Sequence, residues 1–336
     1  MAFFTLLIKF ANLRSSYVFK YFIHYILIYK NKIINMAKKV IKRSLIVSGG
    51  GAKGAWAGGL IQQMIEERGY DWDIYVGSST GSLLMTLTPL KEMDRLKEAY
   101  TNVTNENIFS VDPFTKKGKI NIFNAACRII KGKTSLGESG GLEKMIKKIY
   151  TVNDFYAVRN LNKDVYACAA NYTHNKVDYA HNQSSTYDDY INFTWASTSV
   201  PIAMDFVDVF NSKYLDGGVL MHVPIQKAID CGADEIDVIV LRPEQPDNSK
   251  WEANNMFDVL MRTIDMMQDG ISQSNVLTAQ LNATIKDVKL RIRYTPYKLT
   301  DNSLIFNKEQ MTKWWNEGYE WGRKDNQSCK IILKKK

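Results

Sequence analysis

The chain has 336 residues, of which 45% are hydrophobic and 24% are charged, and these values are typical of a globular protein rather than a disordered or fibrous one. The formal net charge of +9 is concentrated at the ends, because residues 1–35 carry five basic and no acidic side chains and residues 330–336 carry four lysines. The remainder is close to neutral, which argues against a nucleic-acid-binding protein and fits solubility or weak attraction to an anionic membrane surface.

The four cysteines are widely separated and form no C-x-x-C pair. This spacing predicts neither a disulfide framework nor a zinc site, so we expect no metal and a reducing compartment. We therefore expect a cytoplasmic location, with peripheral contact to a membrane left open. The four positions are Cys127, Cys168, Cys231 and Cys329.

Residues 1–35 are rich in aromatic and aliphatic side chains, but Lys20 and His24 interrupt the longest apolar run. The run is too broken to predict a span of about 20 apolar residues, and no small-residue cleavage site follows it. Two interpretations stay open, a membrane anchor and an extension that is disordered or not translated. The second is favoured, because Met36 resembles a native start directly ahead of the first predicted strand.

The first predicted strand, Ser44–Ser48, leads into a glycine-rich turn, and a helix then continues to about Glu67. Such a turn gathers backbone N–H groups that can bind an anion. The glycines also satisfy the G-x-G-x-x-G dinucleotide fingerprint, but the acid expected at the end of the next strand is missing. That nucleotide-binding alternative uses Gly49, Gly51 and Gly54.

The second predicted strand, Ile74–Val76, runs into the pattern G-x-S-x-G, in which Gly77 and Gly81 bracket Ser79. A helix then begins, and Pro89 ends it. A strand that enters a helix through this turn is typical of a nucleophile elbow, where strained backbone angles push the serine hydroxyl out above the sheet.

Beside such a serine, the glycine-rich turn is better explained as an oxyanion hole than as a nucleotide cradle. The first N–H of the following helix would add a donor, and a lysine in the turn would add positive charge nearby. The residues of this predicted oxyanion hole are Gly49, Gly50, Gly51, Lys53, Gly54 and Thr80.

Residues 91–150 are predicted to be mostly helical, and their position is compatible with a cap over the site. Asp164–Ala170 is predicted to be a core strand with Lys176–Ala180 as its hairpin partner. Two short strands, Val207–Phe210 and Lys213–Leu215, come next.

Asp216 follows these strands, and Gly217 and Gly218 place its carboxylate on an open turn, although an ordinary Asp-Gly turn is equally compatible. Ile236–Leu241 is predicted to be a buried strand. Residues 255–283 predict one or two helices with an apolar stripe that we expect in the core. The stripe consists of Met256, Leu260, Met261, Ile264, Met267 and Ile271.

Taken together and in this order, the motifs resemble those of the patatin-like phospholipase family over most of residues 44–241. One departure from the family pattern is His222, at a position where members usually carry asparagine. The motifs that carry the resemblance are Gly49–Gly54, Gly77–Gly81, Ala196–Pro201, Asp216–Gly218, Val223-Pro224 and Ala228–Ala233.

The resemblance implies a three-layer α/β/α fold with a mainly parallel central sheet, related to the α/β hydrolases. It implies a phospholipase A-type enzyme that cleaves fatty acyl esters of glycerophospholipids, with Ser79 as nucleophile, Asp216 as base and no cofactor. The expected partners are a phospholipid and, transiently, a membrane surface, with no nucleic acid. The sequence carries no prediction of oligomeric state.

We expect residues 40–245 to form the catalytic core, residues 1–35 a hydrophobic and basic extension, and residues 246–336 a helical region packed on the core. The alternatives are a carboxylesterase or lysophospholipase for smaller esters, a nucleotide-binding protein and an inactive binding protein. A Ser-His-Asp triad would have to use His222, which lies only six residues after Asp216 and is expected to be too close to reach across the turn.

Overall fold

The computed structural model describes residues 24, 40–115, 118–245, 252–253, 256–324 and 330–332. The chain divides into two units, residues 1–41 and residues 42–336. The predictions for residues 1–35 fall outside the described ranges, with His24 as the one described residue among them.

A nine-stranded mixed sheet forms the centre of this unit. Its strands are β1 (Arg43–Val47), β2 (Ile74–Ser78), β3 (Asp164–Asn171), β4 (Lys176–His181), β5 (Val207–Val209), β6 (Ser212–Asp216), β7 (Glu235–Val240), β8 (Lys289–Tyr294) and β9 (Lys330–Ile332). The order is β5-β6-β3-β2-β1-β7-β8-β9, and β4 also pairs with β3. The five strands from β3 to β8 in that order pair in parallel, and the other pairings are antiparallel.

Eleven α-helices are described. They are α1 (Gly54–Glu66), α2 (Thr80–Leu87), α3 (Met93–Thr101), α4 (Asn105–Ile108), α5 (Ile122–Ile130), α6 (Gly140–Ile149), α7 (Val152–Asn160), α8 (Tyr187–Thr198), α9 (Ile225–Asp230), α10 (Met256–Lys286) and α11 (Lys308–Lys324). Single turns of 3-10 helix cover Gly51–Lys53, Thr88–Leu90 and Gly217–Val219.

Helices cover both faces of the sheet. Successive side chains of a strand point to opposite faces, so the apolar strands of this sheet have two apolar faces, and each is covered by helices. Leu45 and Val47 of β1 enter one hydrophobic core with α1, α2, α8 and α11, whereas Ile46 enters a second core with α9 and α10. The predicted three-layer α/β/α fold with a mainly parallel sheet is confirmed.

The apolar stripe expected in the core along α10 is buried only in part, and the prediction is wrong for Met256 and Met267, which are exposed. The buried face of the helix carries mainly small side chains instead, among them Ser272, Ala279 and Ala283. Small side chains let the helix backbone approach its neighbours closely, so the larger methionines are turned outward.

Strand register brings the two polar motifs together. Ser78 of β2 pairs with Cys168 of β3, and the next residue of β3, Ala169, pairs with Asp216 of β6. Strand β4 pairs with residues 166–171 along the other side of β3, so β2 and β6 share one side of β3 and the residue after Ser78 comes next to Asp216. This places Ser79 and Asp216 at one edge of the sheet, next to the turn that follows β1.

Candidate active site

Ser79 has the strained backbone that the predicted elbow requires. Its φ of 54° and ψ of −127° lie in a backbone region that residues other than glycine rarely adopt. A Cβ added at Gly77 would lie 2.2 Å from the backbone of Gly81, and one added at Gly81 would lie 2.2 Å from the carbonyl oxygen of Val47. Both flanking positions therefore require glycine.

A buried serine that the sequence did not single out supports this turn. The N–H of Ser79 donates to Ser197 Oγ at 3.1 Å, and Ser82 Oγ lies 2.7 Å from the same oxygen. Ser197 also hydrogen-bonds to the carbonyl of Cys168 in β3. The only sequence signal for this role was the position of Ser197 in the Ala196–Pro201 motif.

Asp216 is buried at the end of β6, where its Oδ1 accepts a hydrogen bond of 2.7 Å from the N–H of Gly218. The Ser79 hydroxyl lies near the same carboxylate. Burial raises the pKa of Asp216 to about 6, although the Ser79 hydroxyl and the Gly218 N–H both act to lower it. A carboxylate with a raised pKa is a stronger base than an exposed one.

Three backbone amides in the turns around Ser79 have no hydrogen-bond acceptor among the described residues. The N–H of Gly49 donates to the carbonyl of His222 at 3.2 Å, but those of Gly50 and Gly51 have no acceptor within the described part of the chain. The N–H of Thr80 begins α2, so it has no acceptor inside the helix. Such donors can stabilise an oxyanion.

Lys53, also predicted near the oxyanion hole, lies beside Arg242, and burial followed by that positive charge lowers the pKa of Lys53 to about 7. It is not among the residues that line the cavity described below. The remaining predicted glycines permit close packing, Gly54 against Thr80, Gly217 against Cys168 and Gly218 against Asp216.

His222 lies at the edge of the site, with its imidazole close to the backbone of Gly49 and Gly218. The turn Gly217–Val219 folds the chain back, and the imidazole lies 3.2 Å from where a Cβ on Gly49 would stand. Burial holds the pKa of His222 well below its usual value, so the ring is neutral. Its Nδ1 has no hydrogen-bond partner among the described residues, and none of their hydrogen bonds joins it to Ser79 or Asp216.

An apolar cavity begins at Ser79. It contains about 780 Å³ of empty space, counting the part that is open to solvent. Gly51 and Thr80 belong to its lining together with Ser79, and most other lining side chains are aliphatic or aromatic. The wall includes Leu96, Leu142, Ile146, Met204, Leu304 and Phe306.

No group of three or more His, Cys, Asp or Glu side chains in the described ranges is arranged to hold a metal ion. None of the described helices combines the length and the apolar character needed to cross a bilayer.

Comparison with known proteins gives one family match. The sequence profile of the patatin-like phospholipases matches residues 45–229. Among solved structures, the chain is similar to VipD from Legionella pneumophila, with 13% identity and a TM-score of 0.40, over 88% of this chain and 68% of that one. No curated protein matches.

Proposed function

Since this chain belongs to the patatin-like phospholipase family, a family of lipid acyl hydrolases, we propose that it cleaves the fatty acyl esters of glycerophospholipids with Ser79 as nucleophile and Asp216 as base. The observation that carries the proposal is the apolar cavity whose lining includes Ser79. The closeness of the two side chains supports the pairing, since the Ser79 hydroxyl acts to lower the pKa of Asp216.

In the first half of the reaction, Asp216 takes the proton of Ser79 while Oγ attacks the ester carbonyl carbon. The carbonyl oxygen becomes an oxyanion beside the free N–H groups of Gly50, Gly51 and Thr80. One such donor is worth about 3–4 kcal/mol in a measured protease. The bond to the leaving alcohol then breaks, and Asp216 returns its proton to that oxygen.

In the second half, water gives a proton to Asp216 and attacks the acyl-enzyme carbonyl. The bond from Ser79 Oγ to the acyl carbon breaks, and Asp216 returns the proton to Ser79 Oγ. The fatty acid is then released. The aliphatic wall of the cavity supports the choice of substrate, because a fatty acyl chain removed from water gains about 25 cal/mol per Å² of buried area.

A fluorophosphonate probe and a phospholipid panel test the proposal. We expect the probe to label Ser79 in the wild-type chain and to leave Ser79→Ala unlabelled. Mass spectrometry should find free fatty acid and lysophospholipid with the wild type, and at least about 10³-fold less with Ser79→Ala.

Ser82→Ala is the matched control, since Ser82 is also buried on the first turn of α2 but hydrogen-bonds to the Gly77 carbonyl and Ser197 instead. It should keep the label. Hydrolysis that persists in Ser79→Ala would contradict the proposal. Activity confined to short or single-chain esters would favour the carboxylesterase or lysophospholipase alternative.

A further inference from the structure

Helix α5 (Ile122–Ile130) turns its large apolar side chains toward solvent. Ile122, Phe123, Ile129 and Ile130 are between 61% and 84% exposed. They recur at i, i+1, i+7 and i+8, so they share one face of the helix, and the exposed Ala126 lies between them. A surface helix normally shows solvent its polar face, so this arrangement needs a cause.

The opposite face of α5 is anchored through a buried arginine. Arg128 Nε donates to the carbonyl of Ser135 at 2.7 Å, Nη1 donates to Glu138 Oε1 at 2.9 Å, and Nη2 donates to the carbonyl of Gly137 at 3.3 Å. These contacts fix the rotation of the helix, so the apolar face is held outward by specific bonds.

Residues 135–137, which bind Arg128 of α5, are also attached to the cavity wall. The N–H of Leu136 donates to the carbonyl of Ile202 at 2.7 Å, and Ser135 Oγ hydrogen-bonds to Asp205. Met204, between those two partners in sequence, lines the cavity. Helix α5 is therefore connected, through residues 135–137, to the segment that contributes Met204 to the cavity.

Charge around the helix favours an anionic partner. Residues 118–133 contain four basic side chains and no acidic one. Lys119, Lys131 and Lys133 are exposed, whereas Arg128 is the buried anchor. A helix with a large apolar face and flanking lysines is typical of segments that lie in the headgroup layer of an anionic bilayer.

We propose that α5 is an interfacial helix that docks the protein on an anionic lipid bilayer. Ile122, Phe123, Ile129 and Ile130 enter the boundary between headgroups and acyl chains, and Lys131 and Lys133 face the lipid phosphates. The benefit to catalysis rests on the proposed function, because docking brings the cavity to its lipid substrate, but docking itself needs no chemistry.

Vesicle co-sedimentation in the Ser79→Ala background tests docking apart from hydrolysis. The full chain is mixed with vesicles of phosphatidylcholine alone or with phosphatidylglycerol added. The test variant is Phe123→Ser/Ile129→Ser/Ile130→Ser. The matched control is Leu277→Ser/Leu281→Ser/Ile285→Ser, which removes three apolar side chains of α10 that are 61% to 77% exposed.

We expect the α5 variant to bind the anionic vesicles about 100-fold more weakly, and the α10 control to bind like its parent. Lys131→Glu/Lys133→Glu should weaken binding to anionic vesicles but not to phosphatidylcholine. With Ser79 restored, the α5 variant should keep its turnover of a soluble butyrate ester and lose turnover of vesicle lipid.

Equal binding by the α5 variant and its parent would overturn the inference, even if hydrolysis by Ser79 is established. An equal loss in the α10 control would also overturn it, since apolar exposure at any place would then suffice. A parent that is a dimer and an α5 variant that is a monomer in size-exclusion chromatography would assign the helix to a second copy of the chain. Loss of binding only in the α5 variant supports docking, even if no lipid is cleaved.

Discussion

Ser79 and Asp216 are polar residues at strand ends whose side chains or amides form hydrogen bonds, whereas most side chains of the cavity wall are aliphatic and contact their neighbours by packing. Asp216 accepts a hydrogen bond from the N–H of Gly218, and the N–H of Ser79 donates to Ser197. The wall combines aliphatic side chains from α3, α6 and residues 304–306.

This difference indicates how substitutions in the two regions should differ in their effect on activity. A hydrogen-bonded polar pair loses its chemistry when one atom is exchanged, and it does so for every substrate. A substitution in the aliphatic wall changes the volume of the cavity, and its effect on activity depends on the length of the acyl chain. The predictions below test this contrast.

Asp216→Asn should have the largest effect. The substituted side chain cannot accept the Ser79 proton, so we expect kcat/KM to fall at least about 10³-fold for short and long acyl chains alike. Asp208→Asn is the matched control, because Asp208 lies on neighbouring β5 in an exposed ion pair with Lys213, and it should leave the rate unchanged. Asp216→Asn with more than a tenth of the wild-type rate would exclude Asp216 as the base.

The same pair gives a pH profile for activity and for stability. With the pKa of Asp216 near 6, kcat/KM should fall as pH drops below about 6. Because the folded pKa exceeds the ordinary value of 3.8, the native state binds this proton more tightly than the unfolded state. The protonated Asp216 therefore stabilises the fold fully below pH 3.8, and this contribution is lost as the pH rises through 6. Above pH 6 the fold is about 3 kcal/mol less stable than it would be if the pKa of Asp216 were unchanged by folding. Urea unfolding at pH 8 should therefore show Asp216→Asn to be more stable than the wild type.

A change in the wall should be selective. Ile146 of α6 is buried and lines the cavity, so Ile146→Phe takes volume from the space proposed for the acyl chain. We expect kcat/KM to fall about 10- to 100-fold for long-chain esters and to change little for a butyrate ester, with a stability cost of about 1–3 kcal/mol.

Ile146→Val, which adds no volume, is the control for this change and should leave the chain-length preference unaltered. If Ile146→Phe lowers the rate equally for both esters, the wall acts on the polar site rather than on the acyl chain.

The sequence predicted the polar end of the site better than its apolar wall, for a physical reason. Strained turns and tight packing admit few residue types, so the glycines around Ser79 stand out in the sequence. Any aliphatic residue can fill a wall, and Leu142 and Leu304 are distant in sequence and meet only in the fold. The methionines of α10 show the same ambiguity, because helical spacing alone does not tell which face is buried.

His222→Asn should have the smallest effect and decides the identity of the base. The ring is buried at the site edge but is neutral, and its Nδ1 has no partner among the described residues. We therefore expect kcat/KM to fall less than about tenfold, whereas a triad base would cost at least about 10³-fold. Because the pKa of His222 lies well below its usual value, the loss of activity below pH 6 should persist in this variant. A pH profile that became flat would instead move the base from Asp216 to the imidazole, and the polar end of the site would then depend on a ring whose Nδ1 has no partner among the described residues.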